Sequence, residues 1–564
     1  MVEKNEKRAF LRAGTTKTVT SGSFLIQPGW LVGFALSTVF LIACFLLAIS
    51  PLIRIPDPIL KLSLPPGIFL SQAGNWLPAT LGTLNALQSA YGTFFALLSL
   101  AFLCYGLSAW LLRRSAPGRD QRMTRGLIWL STLLIGAVLI VTPATLSHDV
   151  IVYASYGRVM ATYHANPYFV PIAAFPHDLF ASHNYWARVV SAYGPVWTLI
   201  CAFFGWLLSP DMNSYTVAFR LLAFGTDLLN IWLVGRILRT MGRSGRTVTL
   251  GMLLYAWNPL LLLESALGGH NDGLMVTFIL AGVLLAARAE KRGSLLRARG
   301  YLPVAGALAL AVLVKFTALP ILAAYLLFLA CKALRSNGGG TRLSEALARN
   351  WRSALPVLCW SCLFALLFLL AFYGPFWSGH KLIDIVNSFK NPPSSRYAEN
   401  SFMRSAGEWQ HLHPLPPNGL LDLLGNRQLW DGLTIACIVL CLLIGARRCW
   451  RKPTTRTFVV IALATMSLVL LVTPWFFAWY ITWLLGLGIL CLPVRLNRVE
   501  CALLALVFAF SFSALFTYLF NGGLFGPDYY LVSFFTTIPP TCAFLLTLLL
   551  WKPIWHEKIG ARQR

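Results

Sequence analysis

Long apolar runs separated by short polar segments divide the chain. Runs at 29–50, 92–113, 126–146, 215–237, 247–267 and 272–288 reach or approach the roughly twenty residues that a helix needs to cross a bilayer. The segment 195–208 is shorter and predicts a partial or re-entrant helix, tolerated only against protein. The run 302–333 carries a break, Val314 to Pro320, which predicts two short helices with a tip near Lys315. Runs near 354–373, 429–446, 457–473, 477–493, 500–520 and 531–551 follow. The pattern predicts an all-α, polytopic transmembrane helix bundle of about fourteen crossings. Two long polar segments interrupt it, 147–194 and 374–428. In the first, apolar and aromatic residues recur at helical spacing, as in VIVYASYGRVMATY, which predicts short amphipathic helices.

Charge orients this pattern. Only 12% of the 564 residues are charged, about half the fraction of a soluble domain, yet the formal net charge is +26. The excess sits in short segments between apolar runs, at 113–125, 236–246, 288–299 and 447–452, and in the C-terminal tail. Such loops are expected on the cytoplasmic side of a plasma membrane, beside anionic lipids, and they argue against nucleic acid as a partner. Both termini are then cytoplasmic, and the two long polar loops extracytoplasmic. The polar, basic first 28 residues precede an uncleaved first helix. The expected organisation is 1–125 with the tail and first two helices, 126–350 as a catalytic core, and 351–564 with the remaining helices. The twelve cysteines, such as Cys44, Cys104, Cys359 and Cys437, read as small buried apolar residues.

The candidate chemistry begins at Ser147, where Asp149 leaves an apolar run among His148, Tyr153, Tyr156, Arg158, Tyr163 and Tyr168. A carboxylate in a partly desolvated pocket suits proton abstraction from an acceptor hydroxyl; it also suits a divalent metal. A second cluster runs from Glu264 through Gly269, His270, Asn271 and Asp272. These are ligands for a sugar or metal, or, for Asn271 and Asp272, a helix cap. Lys315 inside an apolar run costs about 2.5–3.5 kcal/mol to insert and needs a partner, such as a lipid phosphate, or a path to the interface. Arg396 and Arg404, with Tyr397, Glu399 and Asn400, either clamp a phosphate or form a solvated loop face. Trp475, Trp479 and Tyr480 fit an interfacial aromatic belt or a stack on sugar or prenyl chain. Buried Arg220 and Asp227 read as structural.

In order and spacing, several motifs resemble the GT-C superfamily of integral membrane glycosyltransferases, and within it the bacterial polyprenyl-phosphate-mannose-dependent mannosyltransferases. They are Asp149 with Tyr153 and Gly157, Asn166-Pro167-Tyr168, Tyr193-Gly194-Pro195-Val196-Trp197, Asn258-Pro259 with Glu264, Gly269-His270-Asn271-Asp272, and Lys315 before Pro320. The resemblance implies catalytic acids at Asp149 and Asp272. It also implies a polyprenyl-phosphate-linked hexose, mannose in the nearest cases, as donor substrate, transferred outside the cytoplasm to a glycan or lipid acceptor. His148, Arg158, Tyr193, Glu264, His270, Asn271, Lys315 and Arg396 are the expected substrate-binding residues. No DxD pair is present, so a divalent metal, held by Asp149 and Asp272 if at all, stays an open alternative. A transporter or lipid flippase, and a polymerase or ligase using a pyrophosphate-linked donor, are the competing functions.

Overall fold

The computed structural model describes residues 29–54, 86–114, 121–142, 146–336, 342–388, 393–413, 419–492, 497–520 and 528–550. The N-terminal tail, the Pro-rich segment around Pro56, Pro58, Pro65 and Pro66, and the basic C-terminal tail lie outside the described residues. Every described element is a helix; one isolated bridge joins Glu399 to Trp475. Eleven helices are long and apolar enough to cross a membrane, or twelve with the bent pair Gly245–Ala256 and Pro259–Leu267 as one span. Three apolar helices are shorter: Pro195–Leu207, Ala298–Val314 and Ala478–Leu490. The break at Lys315 is the one expected, whereas the run expected at 477–493 is a short piece because the chain breaks before Ala478. This is a multi-pass membrane protein.

The helix Asp272–Lys291 lies at the centre, with 72% of its apolar window buried, against Ala298–Val314 and Met212–Thr240. Leu343–Trp377, Arg427–Arg451 and Tyr529–Leu550 are only 17%, 6% and 22% buried, so they form the rim, with leucines facing outward. Seven cysteines are buried as expected, but Cys359, Cys362 and Cys542 are exposed because they lie on these rim helices. Cys359 and Cys362 have C-x-x-C spacing.

The two ends of the central helix carry opposite chemistry. At one end Glu290 accepts from Lys332 at 3.4 Å and from the Thr455 N–H at 2.8 Å. There Arg335 bonds the Trp450 and Arg451 carbonyls, and Glu500 holds Arg448 and Arg456. Arg246 reaches the Arg113 carbonyl, and Arg125 reaches that of Gly245. The described basic segments thus share one end of the bundle. Asp272 begins the same helix about 30 Å away, at the other end.

Candidate functional site

Asp149 opens the helix Asp149–Ala161, where a carboxylate is favoured by the helix dipole. One turn on, the Tyr153 hydroxyl donates to Asp149 Oδ2 at 3.2 Å and lies 3.5 Å from Asn271 Oδ1. The Tyr193 hydroxyl donates to the same Asp149 oxygen at 3.4 Å. Arg158 follows nine residues after Asp149, about two and a half helical turns, and so leaves the opposite face. It pairs with Asp178 at 2.7 Å, where the Tyr163 hydroxyl also donates, and it does not join the cluster.

The second cluster is shaped by a break in the helical chain. Asn258 caps a short turn through its side chain, and Pro259 starts it. A π-helical turn, Leu263–Leu267, follows; such turns aim a side chain off the regular α-helical register. Gly269 then takes φ +69°, which a residue with a Cβ rarely adopts. The reversal stacks the His270 ring on Trp479, with centroids 3.9 Å apart, and sets its nitrogens between two carboxylates. Nδ1 lies 3.5 Å from Asp149 Oδ2, and Nε2 lies 3.3 Å from Glu264 Oε2. The Tyr518 hydroxyl, from a helix 254 positions later, donates to both Glu264 oxygens at 2.9 and 3.0 Å. Asn271 occupies the cap position of the helix Asp272–Lys291, yet its side chain makes no capping bond.

Lys315 stands at the break between Ala298–Val314 and the turn Phe316–Ala318. It is buried and does not reach the interface: Nζ donates to Asp272 Oδ1 at 2.8 Å and lies 4.4 Å from the Tyr480 ring centroid and 5.2 Å from that of Trp483. The Trp483 indole N–H also donates to Asp272 Oδ1. The Tyr-Gly-Pro-Val-Trp motif docks on this break. The Gly194 N–H bonds the Val314 carbonyl at 3.0 Å, and a Cβ on Gly194 would lie 2.0 Å from the Leu313 carbonyl oxygen. Pro195 starts the next helix, and Trp197 packs edge-on against Tyr153 at 4.9 Å. From the Asn-Pro-Tyr motif, the Tyr168 hydroxyl donates to the Tyr193 carbonyl at 2.9 Å, while Asn166 donates to the Phe376 carbonyl.

The two acids differ in surroundings. The Asp149 side chain is 20% exposed; that of Asp272 is 1% exposed and tied to an ammonium and an indole. Burial raises the Asp149 pKa, but His270, Lys315 and Tyr153 together bring it below the ordinary carboxylate range. Burial lowers that of His270, but Asp149 and Glu264 outweigh this and push it up to about 9. Burial, with the charge of Asp149 nearby, holds Tyr153 and Tyr193 well above the ordinary phenol range, so both remain donors. Asn271 Nδ2 and Asp272 Oδ2 are buried without a partner, as expected of groups that a substrate completes. Among the described residues, no three His, Cys, Asp or Glu side chains form a set that could hold a metal ion.

His148 precedes the Asp149 helix as an exposed residue, its carbonyl accepting from the Ile151 N–H. Arg396 ends the turn Pro393–Arg396, and its side chain lies outside the described residues. Arg220 holds the carbonyls of Leu267, Ile140 and Thr142, a structural clamp beside the cluster. Tyr518 joins the cluster without a sequence motif to mark it, and Trp483 joins it from the end of the aromatic stretch that holds Trp475, Trp479 and Tyr480.

Residues 62–331 match the family model described as MptA_B family, alpha-(1->6)-mannopyranosyltransferase, N-terminal domain. The resemblance to GT-C membrane mannosyltransferases holds. Alpha-(1->6)-mannopyranosyltransferase A of Mycobacterium tuberculosis is 25% identical over 48% of this chain and 48% of its own length. A probable alpha-(1->6)-mannopyranosyltransferase of Mycolicibacterium smegmatis is 26% identical over 38% of this chain and 36% of its own length. The matches thus span half or less of these curated mannosyltransferases. No solved structure matches the chain. The matched residues include Asp149, Glu264, His270, Asp272 and Lys315; Trp479, Trp483 and Tyr518 lie beyond them.

Proposed function

We propose that the protein is an inverting mannosyltransferase that moves mannose from a polyprenyl-phosphate donor to a glycan or lipid hydroxyl, forming an α-(1→6) bond on the extracytoplasmic face of the plasma membrane. The observation that carries this reading is the partly exposed Asp149 carboxylate, held below the ordinary carboxylate range beside His270 and not tied to Lys315. In the reaction Asp149 takes the proton of the acceptor hydroxyl. The acceptor oxygen attacks the anomeric carbon as the bond from that carbon to the phosphate oxygen breaks. The polyprenyl phosphate leaves with the bonding electrons, its charge met by the remaining N–H donors of Lys315. Asn271 Nδ2 and Asp272 Oδ2 bind sugar hydroxyls, and Glu264, itself held by the Tyr518 hydroxyl, holds the imidazole. The names of the relatives and the match to residues 62–331 support the sugar and linkage. The site's place away from the basic end supports the face.

The test is purified protein in lipid nanodiscs, offered polyprenyl-phosphate mannose or a pyrophosphate-linked glycan, with a mannoside acceptor. Transfer from the monophosphate donor is expected, and Asp149→Asn loses about 10²–10⁴-fold in kcat while remaining folded. Full activity of Asp149→Asn, or movement of unaltered substrate across the bilayer with no transfer, overturns the reading.

A further inference from the structure

An unbroken series of aromatic rings leads from the carboxylate cluster to the surface. His270 stacks on Trp479, and Trp479 stacks on Phe477 with centroids 4.4 Å apart. Phe477 meets Trp475 at 5.2 Å, and Trp475 meets Trp186 at 6.1 Å. Trp186 then meets Tyr185 at 4.9 Å and Tyr397 at 6.0 Å. Exposure rises along the series: Trp479 is 5% exposed, Tyr397 54% and Tyr185 85%.

The outer rings come from three separate segments, each held by hydrogen bonds to its backbone. The Glu399 N–H donates to the Pro474 carbonyl at 2.9 Å, and the Phe476 N–H to the Glu399 carbonyl at 3.1 Å. The Trp186 N–H is held by Asn184 Oδ1 at 2.8 Å, and Arg427 donates to the Tyr397 carbonyl at 2.7 Å. The rings therefore stand on a fixed frame, not on a loose loop.

We infer that Trp186, Tyr185 and Tyr397 form an acceptor subsite that takes the pyranose rings of an oligosaccharide. The inference rests on the proposed transferase reading and names its acceptor class. A pyranose offers one face of C–H groups to a flat ring and a rim of hydroxyls to polar groups. Amphipathic rings with polar tips suit such a partner. Phenol tips, with Arg188 exposed and Glu399 half-buried nearby, supply the polar rim. A prenyl chain needs an aliphatic wall, and the outward-facing leucines of that kind lie on the rim helices. The donor thus enters from the helices, and the acceptor along the rings toward Asp149.

The test measures binding and transfer in the same nanodisc preparation, with α-(1→6)-mannotetraose as the probe. Wild type binds it, quenching tryptophan fluorescence or releasing heat. Trp186→Ala and Tyr397→Ala weaken it about tenfold each, the loss of one ring contact of about 1.4 kcal/mol, with donor KM unchanged. Trp186→Phe keeps most of the affinity, and unchanged melting shows that the variants are folded. Wild type that does not bind the tetraose, Ala variants that bind like wild type, or an equal loss toward the donor overturns the subsite. Tetraose binding without transfer refutes the transferase reading alone. Transfer that is equally efficient in wild type and Trp186→Ala at every tetraose concentration refutes the subsite alone.

Discussion

Lys315 Nζ lies 2.8 Å from Asp272 Oδ1, and both side chains are buried. The contact makes the two acids of the site unequal: Asp272 has a lysine of its own, whereas Asp149 shares the His270 imidazole with Glu264. Breaking one side of a buried pair leaves an unpaired charge and costs about 3–5 kcal/mol. Lys315→Met and Asp272→Asn are each expected to lower stability in detergent by that order. The double variant recovers much of the loss, since neither charge remains. Unfolding free energies that simply add would show that the pair is not a unit.

The pH dependence follows from His270, held at about 9 by Asp149 and Glu264 against the lowering effect of burial. A folded pKa above the ordinary histidine value of 6.5 means stabilisation that is complete below 6.5 and lost as pH rises through about 9. Asp149 has the opposite sign: its depressed pKa stabilises above 3.8, and this is lost as pH falls through the folded value. Melting temperature is therefore expected to fall on the alkaline side toward pH 9. Glu264→Gln removes one of the two carboxylates and moves that fall to lower pH. Histidine-selective NMR, with His270→Gln identifying the resonance, reads the same midpoint directly. An unmoved midpoint in Glu264→Gln would sink the assignment.

Much of the site was legible because charge in an apolar chain must find a partner. Asp149, Asp272 and Lys315 each stood out for that reason, and they do converge. The fold was legible to within a few residues at most helix ends, since apolar run length governs crossing. What the pattern hid has physical causes. Arg158 shares a polar stretch with Asp149 but leaves the other helix face, which a linear reading overlooks. Tyr518 sits in an apolar helix 254 positions from Glu264, so nothing local marks it, and the aromatic stretch that ends at Trp483 does not show its bond to Asp272, 211 positions away. The belt-like Trp479 is buried against His270, a tertiary contact without a sequence period.

Arg220 tests how the turn before His270 is held. Its guanidinium bonds the Leu267 carbonyl at 2.7 Å, that of Ile140 at 3.0 Å and that of Thr142 at 2.7 Å. Arg220→Met leaves these acceptors unsatisfied, at about 1–3 kcal/mol each. Lys supplies a point charge but not the planar fork, so Arg220→Lys restores only part. Thermal unfolding and transfer rate are both expected to rank wild type above Lys above Met. A Met variant as stable and active as wild type would show that the clamp is idle.

Gly194 joins two halves of the site through a contact that leaves no room for a side chain. A Cβ there would lie 2.0 Å from the Leu313 carbonyl oxygen and 2.4 Å from its carbon, both backbone atoms that cannot swing aside. Gly194→Ala must therefore push the Tyr193 segment off the end of the helix Ala298–Val314. Tyr193 then draws away from Asp149, now 3.4 Å from its hydroxyl, and from Lys315, 5.9 Å from its ring. Overpacking of this kind costs about 1–3 kcal/mol, and the backbone clash places this site at the upper end. Transfer activity is expected to collapse even where the protein is recovered folded. Gly225→Ala is the matched control, in a helix interior with nothing within 4 Å of the added carbon. It gains up to about 1 kcal/mol of helix propensity and keeps full activity. If Gly194→Ala behaves like Gly225→Ala in melting and turnover, the docking of Tyr193 on the Lys315 break is not what positions the catalytic groups.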